Sequence, residues 1–236
     1  MRQRDRRWWR AERGGSVRPV RGRTRGSGNT ERVLSRPLPR LFSSCGPAFQ
    51  NHTSLADPAI VVAALHRFGA RPVIMAAAGL WRVPLLGRAL AREGHIPVVR
   101  GDRRAAAALD IAAEALEQGR LVLIYAEGGL PRRRDAAEAA PGTFRSGLAR
   151  LSERTGAPVI PVGQAGARRI TSGSTAKQLV GLVTAPLRRP DLHVHVGTPL
   201  ELTGDRAVRT AQARTAVTNA WRTAAAHLRE PAALTA

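Results

Sequence analysis

A single cysteine, Cys45, stands in 236 residues. That excludes an intramolecular disulfide and a multi-cysteine metal cluster, and it makes a reducing, cytosolic compartment the natural expectation. Long apolar runs are also missing. Stretches such as Ile60 to Leu65 and Leu121 to Ala126 are short and flanked by charge, far below the roughly 20 residues of a membrane-spanning helix. No apolar secretory segment opens the chain. No Gly-x-Ser-x-Gly elbow occurs, which removes the nucleophile of the commonest serine hydrolases. Helix-turn-helix, zinc-finger and interleaved aromatic-basic patterns are absent too, so nucleic-acid binding rests on charge alone and no specific nucleic acid is expected.

What the chain does have is positive charge, +21 formally at pH 7. Residues 1–40 carry 13 Arg against 3 acids, so nearly half of that excess sits in a segment rich in Gly, Ser and Pro. Such a segment buries too little apolar surface to offset its ordering entropy, and it reads as a flexible, disordered arm. Acid-poor targeting arms have a similar composition. The charge favours anionic partners without choosing among them. Lys177 is the only lysine beside 37 arginines, and Ala, Gly and Pro are abundant, a codon-bias pattern that weakens charge as a functional clue.

Residues 41–236, 43% hydrophobic across the whole chain, suit one α/β domain. Asp57-Pro58 reads as an N-cap and first-turn proline leading a helix through Leu65. Strands are predicted at Arg71 to Ala77, Ile96 to Val99, Leu121 to Tyr125, Pro158 to Val162 and Leu192 to Val196. Helices are predicted over Leu80 to Arg92, interrupted by Pro84 and Gly87, over Asp102 to Gln118, over Phe144 to Arg154 with a stop at Gly156, and over Ala207 to Leu228. Ser43 to Gln50 reads as a poor strand. This alternation implies a mixed, largely parallel sheet covered by helices, with the site in the loops at strand ends.

Three loops carry candidate chemistry. In Asn51-His52-Thr53-Ser54-Leu55-Ala56-Asp57, a carboxylate five residues after a histidine can reach back to one imidazole nitrogen, leaving the other to take a proton. The same residues also make an ordinary capped turn. In Gly94 to Asp102, a short strand delivers Arg100 beside Gly101, and a guanidinium there suits a phosphate. In Ala126-Glu127-Gly128-Gly129-Leu130-Pro131-Arg132, a carboxylate follows a buried strand, glycines permit close approach to backbone, and basic residues lie beyond. His193 and His195 share one face of a predicted strand, but no third ligand at suitable spacing accompanies them, and they read as structural.

These blocks in this order resemble the glycerolipid acyltransferase family, which includes 1-acylglycerol-3-phosphate acyltransferases. Asn51, His52 and Asp57 match the first block, Gly94 to Arg100 the second, Glu127-Gly128 the third and Gly156 to Val162 the fourth. Arg82 to Gly87 and Phe144 to Gly147 add agreement, and the resemblance spans residues 50 to about 230. It implies a glycerolipid acyltransferase-like fold and an O-acyltransferase of phospholipid biosynthesis. Such an enzyme moves a fatty acyl group from acyl-CoA or acyl carrier protein to a lysophospholipid hydroxyl, 1-acylglycerol-3-phosphate first among acceptors. His52 and Asp57 would be catalytic. Gly94, Arg100, Glu127, Gly128 and Arg132 would bind substrate, Glu127 by holding a glycerol hydroxyl or nearby arginines and backbone amides. No metal or cofactor is implied, and a cytoplasmic enzyme peripherally attached to the cytoplasmic membrane is expected. The third block departs from the usual Pro-Glu-Gly-Thr-Arg, since Leu130 follows the glycines and Arg132 is the nearest substitute. A lysine common before the Pro-Leu-Leu-Gly helix is replaced by Met75 to Ala78. An impaired, lipid-binding member of the family and a basic anion-binding protein are the alternatives.

Overall fold

The computed structural model describes residues 9–12, 16–19, 46–99, 104–129 and 137–230. Its strands in chain order are β1 (Trp9–Glu12), β2 (Ser16–Pro19), β3 (Ala48–Gln50), β4 (Val73–Ala77), β5 (Ile96–Val98), β6 (Val122–Tyr125), β7 (Ile160–Ala165) and β8 (His193–Val196). They form one eight-stranded sheet ordered β1-β2-β8-β7-β3-β6-β4-β5. All pairings from β7 to β5 are parallel, whereas β8, β2 and β1 join antiparallel beyond β7. The parallel strands therefore deliver their C-terminal ends to one edge, the edge on which α/β sheets place ligands.

Helices cover both faces. On one lie α1 (Asp57–Arg67) and, later in the chain, α5 (Thr175–Arg188). On the other lie α3 (Arg104–Glu117), α4 (Gly147–Thr155) and α6 (Arg206–His227), while the short α2 (Leu86–Arg92) follows a 3-10 turn after β4. The period-two alternation of strands sorts the core accordingly. Ala48, Leu123, Ile160 and Val162 pack towards α1, and Phe49, Val122, Ile124 and Val159 pack the opposite way. Fully burying a side chain such as Phe49 or Leu123 contributes about 1.5–3 kcal/mol, which anchors the central strands from which the site is built. On the far face α6 lies directly on β7. A Cβ on Gly163 would come within 2.0 Å of the Ala220 carbonyl carbon, so only glycine admits the helix there.

Several expectations change. Ala48–Gln50, read as a poor strand, is the hub of the sheet, paired with β6 on one side and β7 on the other and wholly buried. It is three residues long and ends in Gln50, so no apolar run announces it; tertiary pairing on both edges holds it. Within the expected disordered arm, Trp9–Glu12 and Ser16–Pro19 are strands on the sheet's antiparallel end, which corrects that reading for these two segments. Asp57 is not an N-cap. Ala56 holds that position without a side-chain bond, and Asp57 begins the helix with its carboxylate turned back. α5 is not among the expected helices, because Gly181 and the internal Pro186 obscure its helical pattern. The stop at Gly156 holds: it is left-handed with φ +63°. No described helix is long and apolar enough to cross a membrane.

Candidate active site

The site is assembled where β3, β6 and β7 end side by side. Asn51 follows β3 and extends the ladder with its side chain: Nδ2 donates to the Gln164 carbonyl at 3.0 Å, and Oδ1 accepts the Gln164 N–H at 2.9 Å. This rung replaces the pairing that ends at Gln50 and Val162, so the chain leaves β3 in a determined direction. The next residue is His52.

His52 is held by two carboxylates at two different points. Its ring Nδ1 lies 3.0 Å from Asp57 Oδ2, and its backbone N–H donates to Glu127 Oε1 at 2.8 Å. No described residue bonds the other ring nitrogen. The imidazole also packs on the Tyr125 ring at 4.4 Å between centroids, tilted by 41°. Burial, with the nearby Asp57 charge second, pushes the Tyr125 phenol well above its usual range, so it packs as a neutral ring.

Asp57 organises the turn as well as the imidazole. Oδ2 accepts the Thr53 and Ser54 N–H groups at 2.6 and 2.8 Å, and Oδ1 accepts the Gln164 side-chain amide at 2.9 Å. Its side chain is 1% exposed, against 14% for His52. A buried carboxylate held by this many N–H donors is rigid, and each of these bonds is one it accepts. Since Asp57 accepts, the Nδ1 facing it carries the proton, and Nε2 is left as the basic nitrogen. Gln164 is in turn fixed by Gln50 Nε2, which donates to its Oε1 at 2.8 Å. Further support comes from Arg168, which donates to the Thr53 carbonyl at 3.2 Å, and from a Ser54–Thr171 hydroxyl contact.

Glu127 closes the site from β6. Oε1 takes the His52 N–H, and Oε2 takes the Gly142 N–H at 3.0 Å, so it ties the His52 turn to the loop leading into α4. Burial raises its pKa, although the His52 and Gly142 N–H groups oppose the shift. A carboxyl with a raised folded pKa adds stability below its ordinary value of 4.5 that is lost as pH rises through the folded value. The expected result is that the melting temperature of Glu127→Gln gains on that of the natural chain as pH climbs through this window. Parallel melting curves across pH would show that Glu127 does not titrate there.

The other candidates separate. Gly128 belongs to the site turn, with φ +70°, and an added Cβ would fall 2.5 Å from Cδ and Nε of Arg145. Gly94 does not belong there. It sits before β5, at the opposite edge of the sheet, where its neighbour is the Arg120 guanidinium, and its positive φ closes α2. The structure therefore does not bring Gly94 together with His52 and Glu127. Arg100 and Arg132 lie outside the described residues. His193 and His195 lie on β8, on its α6 side, and His193 stacks on His227 with centroids 4.1 Å apart, a packed pair of rings rather than a convergent ligand set. Among the described residues no group of His, Cys, Asp and Glu is arranged for a metal.

Four contributors were not singled out from sequence: Gln50, Gln164, Tyr125 and Arg145. Gln50 and Gln164 were visible as polar residues ending otherwise apolar strands, a pattern that implies a buried partner. Arg145 is exposed, and its N–H donates to the Ala126 carbonyl at 2.9 Å, which lays its side chain across Gly128. In a chain with 37 arginines only tertiary contact distinguishes it.

Comparison with known proteins agrees with this architecture. The sequence profile of the acyltransferase family matches residues 48–164, the span from β3 to Gln164. A 1-acyl-sn-glycerol-3-phosphate acyltransferase of Borreliella burgdorferi is 31% identical over 113 residues, which are 48% of this chain and 42% of that protein. The crystal structure of the 1-acyl-sn-glycerophosphate (LPA) acyltransferase PlsC from Thermotoga maritima superposes with a TM-score of 0.52 at 17% identity, covering 75% of this chain and 65% of that one. The chain thus spans less than two thirds of either relative's length. The profile begins at the hub strand and ends at the glutamine that braces Asp57, so the segment that builds the site is the one similar to the acyltransferase family.

Proposed function

We propose that this protein transfers a fatty acyl group from a thioester donor, acyl-CoA or acyl carrier protein, to the hydroxyl of a lysophospholipid, with 1-acylglycerol-3-phosphate as the acceptor. The observation that carries the proposal is His52, clamped at Nδ1 by a buried carboxylate and unbonded by any described residue at its other nitrogen. That is the equipment of a general base. Nε2 takes the acceptor's hydroxyl proton as the oxygen attacks the thioester carbonyl. Collapse of the tetrahedral adduct breaks the carbon–sulfur bond, and the imidazolium returns its proton to the thiolate. Ester and free thiol are the products, and no acyl-enzyme intervenes. Asp57 stabilises the imidazolium during the cycle.

Glu127 acts in this reading as a positioning residue, since both of its oxygens are engaged by backbone N–H groups. The acceptor's phosphate needs a cation near the Glu127-Gly128 turn. Arg145 stands there, with Arg100 and Arg132 as the contributors expected from sequence. The Arg145 side chain lies against a backbone stripped of its Cβ, and it takes the place of the arginine that Leu130 denies to the third block. A guanidinium binds phosphate through paired donors. Arg145→Ala is therefore expected to raise the KM for lysophosphatidate by about ten- to a hundredfold, the loss of one charge-assisted contact. The KM for monoacylglycerol, which lacks the phosphate, should not change. Equal effects on both acceptors would remove Arg145 from phosphate binding.

The proposal as a whole is tested by thiol release from acyl-CoA in detergent micelles containing lysophosphatidate, with phosphatidate measured as product. Thiol release without phosphatidate would indicate a thioesterase and overturn it.

A further inference from the structure

α5 is an amphipathic helix set the wrong way round for a soluble protein. Its polar-tolerant side is the packed one: Gly181 meets the Ile170 carbonyl so closely that a Cβ would lie 1.9 Å from it, and Ala185 rests on the core. The opposite side presents Val180, Val183 and Leu187, exposed by 62%, 71% and 85%. Spaced three and four residues apart, they form one stripe. Isolated exposed aliphatics are ordinary, but an aligned stripe marks a surface that contacts something apolar.

The position of the helix says what. α5 lies in the connection from the C-terminal end of β7 to the start of β8, and that connection begins and ends at the edge where His52 stands. Arg168 and Thr171, which precede it, bond directly to the catalytic turn. In that turn Leu55, between His52 and Asp57, is 53% exposed, and beyond β4 on the same edge Leu85 is 76% exposed. The charge is equally one-sided. No Asp or Glu occurs from Gly166 to Pro190, whereas exposed Lys177 lies near one end of the helix and exposed Arg189 at the other, beside Arg188, whose guanidinium folds back onto Thr184 and the Arg169 and Gly181 carbonyls. An apolar stripe with cationic ends and no acids complements an anionic lipid leaflet, in which aliphatic side chains enter the acyl boundary and cations meet phosphate.

We infer that the outward face of α5 docks the protein on an anionic bilayer surface and so brings the mouth of the site to acceptors that reside in the leaflet. The inference rests on the lysophospholipid reading for its purpose, but its test does not. Full-length protein is floated with phosphatidylcholine vesicles containing or lacking phosphatidylglycerol, beside a V180S/V183S/L187S variant whose melting temperature is checked. The natural chain is expected to float with the anionic vesicles, less so at high salt, and the variant to lose binding by about tenfold or more. The variant should acylate a short-chain lysophosphatidate dispersed as monomers at the natural rate, yet fail on acceptor embedded in vesicles. Unchanged flotation by the variant overturns the inference. So does sedimentation showing a dimer that the substitutions dissociate while flotation persists, because the stripe would then join two copies. If neither protein acylates the monomeric acceptor while flotation still depends on the stripe, docking stands and the catalytic reading falls.

Discussion

Replacing His52 by alanine is expected to lower acyl transfer by roughly 10²–10⁴-fold, the usual contribution of a positioned general base. The melting temperature should hardly change. The reason for the contrast lies in how His52 is attached. Its backbone N–H donates to Glu127, and its imidazole is partly exposed and joined to the fold through Asp57 and the Tyr125 ring. Alanine keeps the backbone bond, and Asp57 keeps its Thr53, Ser54 and Gln164 donors. The loss should fall on kcat, since the proton is taken only in the transition state, and KM for acyl-CoA should stay put. Thiol release at the natural rate by His52→Ala would remove the histidine from the mechanism.

The second large effect is that of Asp57→Asn, and it should differ in kind. An amide in place of the carboxylate turns one acceptor into a donor inside a cluster where Thr53, Ser54, Gln164 and the imidazole all present N–H groups. At least one donor must then face another. An unsatisfied buried donor costs about 1–3 kcal/mol, so the melting temperature should fall where His52→Ala leaves it nearly level. Turnover should fall by roughly 10³–10⁴-fold, because an amide no longer selects the tautomer that leaves Nε2 basic. Thermal melts combined with thiol release separate the two roles. A variant that loses turnover without loss of stability would show that the carboxylate acts only on the imidazole, and the turn would then be held by other bonds.

These contrasts show why the pairing of His52 with Asp57 was legible while its setting was not. His52 and Asp57 are close in sequence, and a reach of five residues across a turn is a local property that spacing constrains. Residues further apart are joined only by the sheet. Gln164 follows Asp57 by more than a hundred positions, yet it donates to that carboxylate because β7 is the strand next to β3. Gly94 stands apart from His52 for the complementary reason. Its block is continuous in sequence, but a strand carries its two ends to opposite edges of the sheet, so a glycine before β5 is separated from chemistry at the C-terminal edge. The doubtful strand before Asn51 gains its stability from neighbours on both sides rather than from its own three side chains.

By itself the sequence determined the alternation of helices and strands from α1 to β7, the turn that pairs His52 with Asp57 and the carboxylate that follows β6, because each depends on periodicity or on contacts within a few residues. Only the tertiary structure decided that Glu127 grips the His52 backbone, that Gln50 and Gln164 brace Asp57, that Arg145 lies across Gly128 and that α5 turns its aliphatic side outward. Each of those depends on which strands are neighbours and which face a helix buries, and both follow from the packing of the whole sheet rather than from any one segment.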